Sequence, residues 1–314
     1  MLSFPFGKTY LDFRFSASKH ADVRILERPA RWMSESELKL LIEEMRALVG
    51  RSIPGESLDY GVLTGDPGRL DAAIITLIRD KASRHLIAFN ALSVMSCDLH
   101  GQPADVIHLG LVIVEPGARA QGLSWVLYGL TTMLLFARRQ MRPLWISNVT
   151  QVPAIFGMVS EAFTNVYPSP LPGSRRSFEH VCLAREIMSR HRHVFGVGPD
   201  AGWDEARFVI TNSYTGGSDN LKKPFEAATH HRKEIFNEVC KRELDYARGD
   251  DFLQLGQVTT QVARDYFLKS VPRDSLGGLV VQFAFLVAQS LLLPVWHWLT
   301  PGRAFGDLRP WRPS

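Results

Sequence analysis

The sequence predicts an α/β protein with a mixed, mostly antiparallel central sheet flanked by helices and an α-helical C-terminal extension. Three apolar runs of strand character, 73–78, 86–95 and 106–114, are separated by short polar turns, which favours an antiparallel meander. Stretches with apolar residues at spacings of three and four lie before and after these runs and predict flanking helices. The sequence pattern changes beyond Pro172, which indicates that an extension follows the core domain.

The elements before the meander are a strand, a helix and a loop. Residues 23–27 have strand character. The helix spans 34–49, with Ser34 or Ser36 as its N-cap and Gly50 as its stop. The stretch 51–68 is rich in Gly, Pro and Ser and predicts a loop with at most a short helix.

After the meander we expect a helix, a short strand and a second helix, at 122–137, 143–148 and 152–163. Beyond Pro172 we expect a basic helix, a strand, a long helix and a further helix, at 174–192, 207–214, 224–248 and 253–268. We therefore predict two domains: 1–204, with an N-terminal arm at 1–22, and 205–314, with an apolar helix at 276–299.

Composition excludes several classes of protein. The 314 residues are 46% hydrophobic with a formal charge of +4, so a mainly disordered chain is excluded. No block of five or six like charges occurs, and we expect no nucleic-acid partner. The first 31 residues contain no apolar signal region. Three distant cysteines, Cys97, Cys182 and Cys240, predict reduced thiols and a cytoplasmic protein.

A charge-free window of 28 residues lies between Asp274 and Arg303. The segment 276–293 within it is almost wholly apolar, and 279–293 has apolar residues on all sides with only two Gln and one Ser. Trp296, Trp298 and three later arginines resemble a membrane-interface belt. We expect this segment to hold the protein at the inner face of a membrane, as a surface helix or as a minimal span. The alternative is a helix buried in the protein or in a homodimer interface.

The stretch that follows the third predicted strand has the pattern of an anion site. The run Val114-Glu-Pro116 ends the strand, and Arg119-Ala-Gln-Gly122-Leu-Ser124 leads into the next helix. Backbone N–H groups beside a helix N-terminus favour a phosphate, and Gly122 lets the backbone approach the anion.

This segment resembles the cofactor motif of the GNAT superfamily of acyl-CoA-dependent N-acyltransferases. The family pattern is Val-x-Pro followed by (Arg/Gln)-x-x-Gly-x-(Gly/Ala), with Ser124 here in the last place. The resemblance spans about 23–167. It implies that acyl-CoA is the co-substrate, that no metal is needed, and that the following residues bind the cofactor: Ile113, Val114, Arg119, Ala120, Gln121, Gly122, Leu123 and Ser124.

A second family motif, Asn-x-x-Ala-x-x-x-Tyr-x-x-x-Gly-Phe, is matched less well. The best register begins at Gln151 and places Met158 where many members have a Tyr that protonates the departing thiolate. The acid is therefore missing from its usual position or is replaced from elsewhere.

The family mechanism is direct attack of an amine on the thioester in a ternary complex, which needs a general base. Three residues are candidate catalytic groups: His108, Glu115 and Asn148. Their alternatives are a hydrogen-bonded core histidine, a solvated turn carboxylate and a helix cap, respectively.

Other polar groups of the extension have ordinary explanations. His230-His231 and Asp250-Asp251 are candidate metal or acid/base groups. Adjacent histidines on a helix point about 100° apart and cannot chelate one ion, so a solvated helix face is favoured. The polar cluster 212–223 is either an acceptor pocket or a strand-to-helix turn.

The sequence as a whole predicts an N-acyltransferase whose amine acceptor, acyl donor or both are lipid-like. Two alternatives stay open: a soluble acetyl-CoA-dependent acetyltransferase of a small amine or protein, and a non-catalytic binding module with the same fold.

Overall fold

The computed structural model describes residues 10–53, 58, 61–123, 125–139, 141–216 and 221–272, with the backbone alone at 119–121. The described strands form one ten-stranded sheet. Their bounds are β1 Asp12–Ser16, β2 Ala21–Glu27, β3 Ala73–Asp80, β4 Leu86–Leu99, β5 Gln102–Val114, β6 Leu144–Thr150, β7 Thr164–Tyr167, β8 Gly202–Asp204, β9 Val209–Thr211 and β10 Asp251–Val258.

Helices cover the sheet. They are α1 Glu35–Ser52, α2 Pro67–Asp71, α3 Thr131–Arg138, α4 Pro153–Ala162, α5 Phe178–Glu186, α6 Glu234–Glu243 and α7 Thr260–Lys269. Short 3-10 helices lie at Pro29–Arg31, Gly61–Thr64, Pro116–Gln121, Arg192–Phe195 and Phe225–Ala227, and π-helical segments at Trp125–Leu130 and Ile187–His191.

The strand order is β1-β2-β3-β4-β5-β6-β10-β9-β8, with β7 also paired to β10. Among the described strands only β5 and β6 pair in parallel, and every other pair is antiparallel. The mixed, mostly antiparallel sheet flanked by helices confirms the predicted fold class.

Both faces of the sheet are buried. In β3, Ile75 and Leu77 pack with Met45 and Leu48 of α1, whereas Ile74 belongs to the apolar cluster on the opposite face. Helix α1 starts where predicted, because Ser34 and Glu37 form a capping box: the Ser34 hydroxyl accepts from the Glu37 N–H and the Glu37 carboxylate accepts from the Ser34 N–H. The helix continues past Gly50 to Ser52.

The long helix predicted over 224–248 is wrong. Only Glu234–Glu243 is α-helical, and it buries Phe236, Asn237 and Cys240 at helical spacing. Before it this stretch has only the 3-10 turn Phe225–Ala227, and the Thr229 carbonyl accepts a 3.0 Å hydrogen bond from the Ala154 N–H of α4. His230 and His231 therefore lie outside a helix, in contrast to the prediction.

The helix predicted over 253–268 is also wrong in its first half. Residues 251–258 form β10, which is buried along nearly its whole length between β6 on one side and β7 and β9 on the other. A central strand covered on both faces lacks the alternation that identifies a half-exposed strand. The sheet thus continues across the domain boundary predicted at residue 204.

Smaller differences concern the ends of other elements. The predicted basic helix 174–192 begins at Phe178 and turns π-helical at Ile187, and the strand predicted over 207–214 is limited to Val209–Thr211. Among the described residues, no helix is long and apolar enough to cross a membrane. The apolar segment 276–299 lies outside the described residues.

Candidate active site

Strands β5 and β6 separate in the middle of the sheet. They pair only where Val106–His108 faces Trp145–Ser147, and β5 then continues to Val114 with β4 as its remaining partner. The space between the diverging strands is a cavity of about 240 Å³. It is lined by β5 from His108 to Val112, by β6 from Asn148 to Thr150, and by Ile155, Met158, Tyr128, Phe195, Val197, Ser213, Tyr214, Leu221 and Asp251. We call this space the central cleft.

A β-bulge shapes the β5 wall of the central cleft. Leu111 pairs with Ala91 of β4, but His108 pairs with Ser93, so β5 has one extra residue between these pairs. A Cβ atom on Gly110 would lie 2.1 Å from the Ala91 carbonyl oxygen, closer than any real contact. Glycine is therefore required for the strand to bend at this point.

The turn after β5 contains the residues of the predicted cofactor motif. Residues Pro116–Gln121 form a 3-10 helix, and Gly122 has left-handed φ and ψ angles of 65° and 32°. Nothing lies within 4 Å of the position that a Cβ atom of Gly122 would take. The turn thus has open space beside its glycine.

The predicted cofactor-binding residues fall into four groups. Val114, Gly122 and Leu123 line a small cavity of about 130 Å³ beside the turn. Ile113 is buried in the cluster beneath α1 and lines neither cavity. The backbone of 119–121, from Arg119 through Ala120 to Gln121, belongs to the 3-10 helix, and Ser124 lies outside the described residues.

Tyr128 joins the two spaces, because it lines both the small cavity and the central cleft. It lies in the π-helical segment Trp125–Leu130, where the prediction was a regular α-helix. Burial raises the pKa of its phenol. Met158 of α4 lines the central cleft at the position where the second family motif has a tyrosine. Tyr128 lines the same cleft and supplies a phenol that the motif did not indicate.

His108 lies in the wall of the central cleft. Its Nδ1 is 3.1 Å from the Ser147 hydroxyl, and its ring lies 5.1 Å from that of Phe195 between centroids. Burial lowers the pKa of His108 to about 4, so the imidazole is neutral at pH 7.

Asn148 also lines the central cleft, in the interior of β6 and not at a helix cap, since the N-cap of α4 is Val152. Its amide nitrogen donates to Gln254 Oε1 at 3.1 Å. The Gln254 amide nitrogen in turn lies within hydrogen-bonding distance of Ser160 Oγ and the Pro168 carbonyl. These contacts fix the orientation of Asn148.

Glu115 has a different environment from His108 and Asn148. Its carboxylate pairs with Arg51, with 3.0 Å between Oε1 and Nε, and it is not among the residues that line the central cleft. The structure thus brings together two of the three predicted catalytic residues.

Asp251 is an acidic residue that lines the central cleft, whereas the sequence favoured a solvated face for the pair Asp250-Asp251. It begins β10 and is 4% exposed. The Tyr214 hydroxyl donates to its Oδ1 at 3.1 Å, and the Ser213 hydroxyl contacts its Oδ2. Burial raises the pKa of Asp251 to about 7, and the neighbouring Asp250 adds to the increase.

The polar cluster 212–223 is therefore placed at the cleft in part, through Ser213, Tyr214 and Leu221. Asp250, by contrast, is fully buried and bound by Arg248 in a bidentate ion pair of 2.6 and 2.7 Å. In the described part of the chain, no group of three or more His, Cys, Asp or Glu side chains is placed to hold a metal ion.

Comparisons with known proteins give structural matches only. No protein-family model and no curated protein matches the sequence. A ribosomal-protein-S5-alanine acetyltransferase from Vibrio fischeri is 13% identical, with a TM-score of 0.31, over 51% of this chain and 88% of its own. A GNAT family N-acetyltransferase from Escherichia coli, solved with CoA, is 16% identical, with a TM-score of 0.31, over 50% of this chain and 78% of its own.

A probable N-acyltransferase from Enterococcus faecalis is 14% identical, with a TM-score of 0.32. That match covers 46% of this chain and only 33% of the Enterococcus chain. The strands before residue 170 and those after residue 200 share one sheet, and residues from both parts of the chain line the central cleft.

Proposed function

We propose that the chain is an N-acyltransferase that moves an acyl group from acyl-CoA to a primary amine in the central cleft. The observation that carries the proposal is the separation of β5 from β6 directly before the open turn at Gly122. A thioester lying between the strands and a phosphate at the turn would belong to one extended ligand. Tyr128 lines both spaces, which supports this continuity.

The chain's contribution to the reaction is positioning and charge stabilisation. Beyond His108, the edge of β5 that faces away from β4 has no pairing with β6. Backbone groups along this edge would hold the thioester carbonyl and the arm that carries it. The acyl-CoA supplies the activated carbonyl carbon, and the amine nitrogen attacks it directly.

The predicted polar residues receive different roles. Neutral His108 and the fixed Asn148 amide line the cleft and would orient the amine or the leaving sulfur. Glu115 is not assigned a catalytic role, because its carboxylate is held by Arg51 outside the cleft.

A matched pair of substitutions tests the phosphate site. Asn and Asp both tolerate the left-handed conformation of Gly122, and they differ in charge. We expect Gly122→Asp to weaken CoA binding at least about tenfold more than Gly122→Asn, through repulsion of the pyrophosphate. Calorimetric titration with CoA measures the difference, and equal affinities of the two variants would contradict the proposed turn.

We further propose that the donor, the acceptor or both are lipid-like. The walls of the central cleft include Leu109, Leu111, Val149 and Ile155, which suit an alkyl chain. The charge-free segment 276–299 would bring the enzyme to the inner face of a membrane. Turnover of acetyl-CoA against octanoyl- and palmitoyl-CoA, with flotation of the full chain on vesicles, tests both parts. Exclusive use of acetyl-CoA without vesicle binding would leave the acetyltransferase alternative.

A further inference from the structure

Asp251, Ser213 and Tyr214 form a polar group that lines the central cleft together with the edge of β5. The three residues come from two separate segments, the strand β10 and the loop after β9. From this arrangement we propose that Asp251 binds the acceptor amine and acts as its general base. Its carboxylate pairs with the ammonium group and takes the proton whose loss frees the nitrogen for attack. This assignment rests on the acyltransferase function proposed above.

The described contacts of Asp251 are hydrogen bonds with hydroxyl groups, and they do not include the ion pair of a buried salt bridge. Both of its oxygens are contacted by hydroxyl groups, Oδ1 by Tyr214 and Oδ2 by Ser213. Among the described residues no Lys or Arg forms an ion pair with Asp251, whereas the adjacent Asp250 is bound by Arg248. A buried carboxylate that lines a cavity without a cationic partner is suited to a cationic ligand.

The charged and titratable groups around Asp251 favour proton transfer near neutral pH. Burial and Asp250 raise the pKa of Asp251, and the two hydroxyls lower it, with the result near 7. From β5, His108 is neutral and adds no charge. Tyr246, near Asp251, has its own pKa raised. Lys222 and Arg248 are bound elsewhere, to the Ala247 carbonyl and to Asp250.

The reaction balances with this single base. The bound ammonium gives one proton to Asp251, and the amine nitrogen then forms a bond to the thioester carbonyl carbon. The carbon–sulfur bond breaks, and the nitrogen's surplus proton goes to the departing thiolate, which leaves as free thiol. Asp251 returns its proton to solvent, so the net products are an amide, CoA thiol and one proton.

The first experiment measures recognition of the ammonium group without acyl transfer. Calorimetric titration at pH 8 compares n-butylamine and n-octylamine with 1-butanol and 1-octanol. We expect the wild-type protein to bind the amines at least about tenfold more tightly, and Asp251→Asn to lose this preference. Asp200→Asn is the matched control, because Asp200 is exposed and does not line the cleft.

The second experiment measures the proton transfer. With octanoyl-CoA and n-octylamine, thiol release should rise with pH through about 7 and be reduced about 100-fold or more in Asp251→Asn. Tyr214→Phe removes a hydrogen bond that lowers the pKa of Asp251, so the rise in its rate should move to higher pH. A purely structural role for Tyr214 would not move it.

The outcomes separate this inference from the proposed function. Loss of the amine preference with unchanged octanoyl-CoA binding supports the role of Asp251. Binding of octanoyl-CoA by a wild-type protein that does not prefer amines over alcohols overturns that role and leaves the proposed acyl-CoA site standing. Absence of any acyl-CoA binding overturns the proposed function. The first experiment contains no acyl-CoA, so it still decides whether Asp251 binds amines.

Discussion

The Tyr266 hydroxyl of α7 donates a 2.8 Å hydrogen bond to the backbone carbonyl of Trp125, 141 residues earlier in the chain. Trp125 begins the π-helical segment that carries Tyr128 into both cavities. Helix α7 thus holds the start of the helix on which the proposed acyl-CoA site depends.

Removing this hydroxyl should destabilise the fold. Tyr266→Phe leaves the buried Trp125 carbonyl without its partner, and we expect a loss of about 1–2 kcal/mol in the free energy of unfolding. Urea unfolding measures it. Tyr167→Phe is the control, since the Tyr167 hydroxyl has no hydrogen-bond partner in the described chain, and a similar loss in both variants would contradict the assignment.

Gly129 and Tyr266 should be strongly coupled. A Cβ atom on Gly129 would lie 1.9 Å from Cε2 of the Tyr266 ring. We expect Gly129→Ala to cost about 2 kcal/mol or more alone and much less in a Tyr266→Ala background, where the ring is absent. A double-mutant cycle by chemical denaturation tests this, and additive effects of the two substitutions would exclude direct contact.

Two glycines should respond to alanine in opposite directions. At Gly110 a Cβ atom meets the Ala91 carbonyl, which is backbone and cannot move aside without breaking the bulge. We expect Gly110→Ala to cost about 3 kcal/mol or more and to lower affinity for acyl-CoA. Gly50 lies inside α1 with open space around it, so Gly50→Ala should stabilise the protein by about 0.5–1 kcal/mol.

Asp251 should make stability fall as pH rises. Its folded-state pKa of about 7 exceeds the ordinary value of 3.8, so the folded protein retains a proton that the unfolded chain has released between these values. The contribution is fully present below pH 3.8 and is lost as pH rises through 7. We therefore expect Asp251→Asn to be more stable than wild type at pH 8, by up to about 4 kcal/mol, but not at pH 4.

Thermal unfolding at both pH values measures this difference. An equal effect of Asp251→Asn at pH 4 and pH 8 would contradict the raised pKa.

His108 should have the opposite pH dependence. Its folded-state pKa of about 4 lies below the ordinary 6.5, so its stabilising contribution is present above pH 6.5 and lost as pH falls toward 4. We expect His108→Asn to reduce the loss of stability between pH 7 and pH 5 by up to about 2 kcal/mol. Part of the loss should remain, because burial also lowers the pKa of His180. An unchanged loss in the variant would contradict a neutral, buried His108.

The meander and the helices next to it could be predicted because their local patterns agree with their environments. Helix α1 has a polar face and a capping box, and β3 to β5 are joined by short polar turns. The prediction failed at β10, because every residue from Asp251 to Gly256 is buried and the strand shows neither the period of two nor that of 3.6.

Because β10 was not predicted, Asp251 was not identified as a residue of the cleft. Asp250 and Asp251 looked like a solvated pair, and their different environments arise only when β10 enters the sheet. β10 begins at Asp251, so Asp250 lies in the turn before the strand and has different surroundings. Asp250 meets Arg248, and Asp251 meets Tyr214 and the cavity. In contrast, the turn at Gly122 could be predicted because its motif is contiguous in sequence.

The position of β10 has a consequence for how the protein is made. Strand β6 is complete at Thr150, yet its antiparallel partner is synthesised only about a hundred residues later, with Asn148 opposite Gln254. During translation β6 has an open edge until β10 is synthesised, and the polypeptide that precedes β10 lacks its contacts with that strand. Long-range pairing of this kind folds slowly. A ribosome that stalls before residue 251 would leave a chain with the β5 wall of its cleft but not the wall that carries Asp251, and with an edge prone to pair with other chains.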